Sequence, residues 1–137
     1  MRRLRWILPV ALMVVCSVSG PAHSKKKACL NVTGKWSMVV EIDKTRCKES
    51  KSTSLVVATM KQKGCKVTVE IPGVTLKGFV KGNKIRVTGS YYDSGTIKKW
   101  IRLTVLGRNI FGSERWTYQY KKSYKCAGTS KFAGFRK

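Results

Sequence analysis

No stripe of apolar residues at helical spacing runs between Val32 and Arg136. Short segments that alternate apolar with polar take its place, punctuated by Gly and Asn. Period-two alternation is the pattern of strands with one buried face, and it predicts eight of them here. The first spans Val32 to Ile42, with Trp36, Met38, Val40 and Ile42 on one face. A basic loop follows, and the second strand runs from about Ser54 to Lys61. The third covers Cys65 to Ile71, the fourth about Thr75 to Val80, and the fifth Lys84 to Tyr92. The sixth covers about Ile97 to Val105, the seventh Ile110 to Tyr120 and the last about Tyr124 to Arg136. Every loop but the first is short, so consecutive strands should pair antiparallel. The expected fold class is all-β: an eight-stranded antiparallel up-and-down β-barrel, whose closure leaves no open edge.

The cysteines test this topology independently. Cys29, Cys47, Cys65 and Cys126 follow the leader described below, and no two are closer than 18 positions, which argues against the paired ligands of a zinc site. In the meander, Cys29 and Cys65 lie at one end of the barrel and Cys47 and Cys126 at the other. Four cysteines allow three pairings. Joining Cys29 to Cys47, or Cys47 to Cys65, would link opposite ends of a strand, tens of Å apart at about 3.3 Å per residue. A disulfide needs Cα atoms within about 7 Å. Cys29–Cys65 with Cys47–Cys126 is the pairing that fits, since closure sets the last strand beside the first.

An even cysteine count in a small domain implies an oxidising compartment, and the N-terminus agrees. Arg2, Arg3 and Arg5 precede an apolar run from Ile7 to Val18, then Ser19-Gly20-Pro21 and the small residues around Ser24. This has the form of a secretory signal peptide, residues 1–24. Its apolar run is short for a membrane span. Residues 25–137 would then be a single secreted or periplasmic domain, with no transmembrane segment in the mature chain. That domain keeps 26 of the 29 basic residues against 6 acidic ones, a net charge of +20. Such an excess implies affinity for anionic polymers or surfaces: lipopolysaccharide, nucleic acid, acidic polysaccharide or an anionic membrane surface.

Gly34-Lys35-Trp36 on the first strand, with Arg136 ending the last, resembles the signature of the calycin superfamily, which includes lipocalins, fatty-acid-binding proteins and avidins. The resemblance is to bacterial secreted lipocalin-like domains in particular. It is carried by Gly82-Asn83 before the fifth strand, Trp116-Thr117-Tyr118 on the seventh, and Cys126-Ala127-Gly128 leading to Arg136. It implies that Trp36 closes one end of the barrel and that Arg136 stacks over its ring. Biotin binding is not implied, because Met38, Val40 and Ile42 stand where avidins place polar ligand groups.

Catalytic chemistry finds few candidates. The sole histidine, His23, belongs to the leader, the cysteines are used as disulfides, and the glycines lie in turns and strand bends. Glu41, Glu70 and Glu114 are read on the polar faces of strands. No enzyme activity and no cofactor are expected.

Two binding surfaces remain. The first is the barrel interior, lined by Met38, Val40, Ile42, Val67, Val69, Ile85, Val87, Leu103, Trp116, Tyr118 and Tyr120, which could carry a small apolar ligand. A barrel this small is expected to be filled by its own side chains. The second is an outward stripe of Lys98, Trp100 and Arg102, flanked by Arg86, Tyr92 and Arg115, suited to stacking on and neutralising a polyanion. A third role, protease inhibition through the segment Lys25 to Leu30, follows from resemblance to secreted inhibitors with the same N-terminal Trp signature.

Overall fold

The computed structural model describes residues 28–48 and 52–137; the expected leader lies outside them. Eight strands follow one another: β1 (Gly34–Thr45), β2 (Thr53–Lys63), β3 (Lys66–Ile71), β4 (Val74–Lys81), β5 (Lys84–Tyr92), β6 (Thr96–Leu106), β7 (Asn109–Tyr120) and β8 (Tyr124–Arg136). They close into one barrel in sequence order. Each strand is antiparallel to its neighbours, and β8 returns to β1, with Trp36 opposite Arg136 and Val40 opposite Phe132. No helix long and apolar enough to cross a membrane occurs among the described residues.

Local chemistry accounts for this meander. Lys81 and Lys84 face each other across β4 and β5. The two residues between them, Gly82 and Asn83, must turn the chain within a hairpin, which needs positive φ. Gly82 takes φ +60° at no steric cost. The alternation then sorts the side chains. Met38, Ala58, Met60, Val67, Val69, Val80, Ile85, Val87, Ile101, Leu103, Val105, Ile110 and Phe132 are buried and form one core with Trp36.

Both disulfides join strand ends as the topology requires. Cys29 and Cys65 have Cα atoms 5.5 Å apart, and Cys47 and Cys126 5.2 Å. Two such bridges are compatible with an extracytoplasmic protein.

The Cys29 end is sealed. The first strand starts at Gly34, not at Val32, because the preceding residues cross beneath the barrel. Leu30 donates its N–H to Gly82 O (3.0 Å), and Val32, fully buried, donates its own to Gln62 Oε1 (2.8 Å). Trp36 is fully buried, and its indole Nε1 donates to Val32 O at 2.9 Å. The Arg136 guanidinium carbon lies 4.7 Å from the Trp36 ring centroid, and Arg136 Nη2 donates to Asn31 O at 2.8 Å. A cation over an indole contributes about 0.5–2 kcal/mol.

Candidate functional site

The Cys47–Cys126 end is different. Here the barrel interior opens into a cavity of about 700 Å³, within the range of small-molecule sites. Its lining includes the short side chains Ser52, Ser54, Ser94 and Ser130. At the sealed end the interior is instead filled by Trp36, Met38, Met60, Ile85 and Leu103. The expectation of a fully packed interior is therefore corrected: the barrel is packed at one end and hollow at the other.

The floor of the cavity is polar. Lys99 Nζ donates to Glu114 Oε1 at 3.2 Å, with the Glu114 side chain 2% exposed and that of Lys99 21%. The other carboxylate oxygen, Glu114 Oε2, is buried and has no hydrogen-bond partner among the described residues. Leaving a buried acceptor unpaired costs about 1–3 kcal/mol. Nearby, Trp116 Nε1 donates to Ser130 Oγ at 3.1 Å. The indole of Trp116 lies across Gly128, where a Cβ would fall 2.2 Å from Cζ2 of the ring. Glycine at position 128 is what lets the indole lie flat against β8.

Aromatic and aliphatic side chains form the walls: Tyr91, Tyr118, Tyr124 and Trp116, with Val40, Ile42 and Ile97. Tyr118 and Tyr124 meet edge to face, ring centroids 6.4 Å apart, and Tyr118 Oη donates to Ser94 O at 3.1 Å. At the mouth, Lys48 and Asp93 line the opening beside Cys47. Charged lining residues thus balance, two lysines against two carboxylates, in a chain with 29 basic and 6 acidic residues.

Two corrections to the sequence reading follow. Glu114 is not on a polar outer face. It sits two residues from Trp116, on the same side of the pleat, and so points inward. The same parity with Ile101 and Leu103 turns Lys99 inward. Tyr120, read as interior, is 43% exposed at the rim, with Lys121 Nζ 5.3 Å from its ring centroid. The signal was the alternation itself, which outranks polarity when a neighbouring strand supplies a counter-charge.

On the outer surface, the stripe resolves into two groups. Arg86 stands opposite Arg102, and Trp100 opposite Arg115, on three adjacent strands. The Arg115 guanidinium carbon lies 5.0 Å from the Trp100 ring centroid. These four side chains line a shallow trough that continues to Lys131 on β8 and Lys44 on β1. Tyr92 does not flank Trp100. It stands at the rim, in a separate hollow with Lys98, Tyr120 and Lys121, because its register partner is Thr96 at the start of β6. Among the described residues, no three of His, Cys, Asp and Glu gather as a metal site would require.

Comparison of the chain with protein-family models, curated proteins and solved structures finds no match.

Proposed function

We propose that this protein is a secreted or periplasmic, non-enzymatic binding barrel that takes a small ligand into its open end. The observation that carries the reading is the asymmetry of the interior: one end is plugged by Trp36, and the other is a cavity of about 700 Å³ walled by aromatic rings. The resemblance of Gly34-Lys35-Trp36 and Arg136 to the calycin signature supports it, as does the closed antiparallel meander. The polar floor supports an amphipathic ligand over a purely apolar one. A neutral fluorescent probe, N-phenyl-1-naphthylamine, tests the reading. Its emission should rise on binding at both low and high salt, and Ile97→Trp, which puts an indole into the cavity, should abolish the rise. Absence of any salt-independent binding overturns the reading.

A second reading, attachment to anionic polymers or surfaces, is favoured by the Arg86–Arg102 and Trp100–Arg115 pairs. A domain at +20 binds any polyanion diffusely, wherever its lysines lie. A built site behaves otherwise, since stacking on Trp100 contributes about 1–3 kcal/mol per ring. Trp100→Ala and Arg102→Ala should weaken binding of single-stranded DNA or heparin several-fold more than Lys63→Ala, an exposed change on β2, four strands from β6 around the closed barrel. Equal effects would reduce this reading to net charge.

A further inference from the structure

The outer surface of β2, β1, β8 and β7 is apolar to a degree that a chain with 29 basic residues does not lead one to expect. Of the eleven large hydrophobic side chains exposed among the described residues, six lie on this face or on its β6 margin: Leu55, Val57, Val39, Phe135, Phe111 and Leu106. Single exposed apolar residues need no explanation, but a contiguous group does. The register makes this group contiguous. Leu55 stands opposite Val39, Val39 opposite Ala133, and Ala133 opposite Phe111, in one row across four strands. In the next row, Val57 and Phe135 stand on either side of Ser37. Ser37 points outward, between the inward-facing Trp36 and Met38, and is nevertheless buried. Leu55 is 72% exposed and Phe135 54%.

Charge frames the two rows. Toward the sealed end, Lys137 donates its N–H to Lys35 O, and Arg136 donates its own to Arg108 O. These bonds set three exposed cations, Lys35, Lys137 and Arg108, along one edge. Toward the open end, Lys131 and Arg102 stand on either side of Ser113. The carboxylates on that edge both stand against Lys131: Glu41 is opposite it in register, and Asp43 Oδ1 is 3.5 Å from its Nζ.

A second copy of the chain fits this face poorly. Closure makes the face convex, and two convex faces touch along a line. Each copy also brings the same large excess of positive charge. A lipid bilayer conforms to a convex body and takes apolar side chains into its interface. Where its head groups are anionic, it also neutralises basic edges. We propose that this face lies on an anionic membrane, with Leu55, Val39, Phe111 and Phe135 in the interface and the flanking lysines and arginines among the head groups. The contact uses neither the cavity nor the Trp100 indole, and it stands whether or not either of them binds a ligand.

Cosedimentation of the full disulfide-bonded protein with vesicles of phosphatidylcholine and phosphatidylglycerol tests the proposal. Leu55→Thr/Val39→Thr/Phe111→Thr removes three apolar side chains while keeping the net charge and strand-forming residues. This variant should bind the anionic vesicles at least about tenfold more weakly than the unaltered protein, since each substitution takes apolar area out of the interface. Its affinity for heparin should be unchanged, so that failure here is separable from failure of polyanion binding. Phe79→Thr removes an apolar side chain that is 61% exposed on β4, four strands from β8 around the barrel, and should leave vesicle binding unchanged. A second measurement needs no variant. In bicelles of the same lipids with a spin-labelled acyl chain, the methyl signals of Leu55, Val39 and Ala133 should broaden. That of Thr88, which stands opposite Trp100, should not. Vesicle binding unaffected by the triple substitution overturns the proposal, as does equal binding to phosphatidylcholine alone. Broadening confined to Thr88 overturns it too and assigns the contact to the Trp100 trough. So does failure to bind vesicles; a dimer that the triple substitution dissociates would then give the face to a second copy.

Discussion

Trp36 and Trp116 occupy inward positions at the two ends of one barrel, and each donates its indole N–H to a neighbour. There the likeness ends. Trp36 is capped on every side, by the chain from Leu30 to Val32, by the core and by the Arg136 guanidinium. Trp116 lies flat against Gly128 and leaves the rest of its indole to the cavity. The same side chain is a plug where a strap of chain seals the barrel and a wall where small residues and a charged floor leave it open. Packing the sealed end supplies the stability that lets the other end remain hollow.

The contrast is broken most directly by truncating each tryptophan. Trp36→Ala should cost about 3–5 kcal/mol, as for a buried aromatic whose space cannot collapse. Trp116→Ala should cost roughly 1–2 kcal/mol, because its removal enlarges a cavity that already exists and forfeits less buried area. Urea denaturation of the two variants measures the difference; equal losses would mean that the open end is packed in solution.

The disulfides sharpen the comparison next, one at each end. Replacing either pair by serine should cost about 2–5 kcal/mol. The bridges span 36 and 79 residues of sequence. On chain entropy alone, loss of Cys47–Cys126 should therefore cost about 0.7 kcal/mol more than loss of Cys29–Cys65. If the Cys29–Cys65 variant proves the weaker of the two, the strap beneath Trp36 depends on its bridge for more than loop closure, and the sealed end is the cooperative one.

The smallest expected effect lies at the cap. Arg136→Ala removes a cation over an indole and should cost about 1 kcal/mol. Arg136→Lys should restore less than half of it, because an ammonium lacks the planar fork that both covers the ring and donates to Asn31 O. Thermal melts of the two variants distinguish a stacked guanidinium from a mere positive charge.

Much of this molecule is legible in its residues. The order of the strands follows from short turns such as Gly82-Asn83, and the face each residue takes follows from the pleat. Even Glu114, misread at the floor, obeys that rule. Glu114 stands two positions from Trp116, and Lys99 two from Ile101, so parity alone turns both inward. Polarity argued the other way because a single strand does not reveal that a counter-charge faces it from the next.

What the sequence by itself determined is thus everything local: the period of the strands, the positions of the turns, and through these the closed meander and the pairing of Cys29 with Cys65 and Cys47 with Cys126. What the tertiary structure decided is height. Alternation says that a side chain points inward, and it does not say which side chains of other strands share its level, because strand tilt and stagger accumulate around a closed barrel. The bulge between Ile42 and Lys44 alone shifts β1 by one residue against β8. Only after that register is summed do Trp36, Met38 and Met60 crowd one end, while Ser54, Ser130 and the Lys99–Glu114 ion pair come together around an opening at the other.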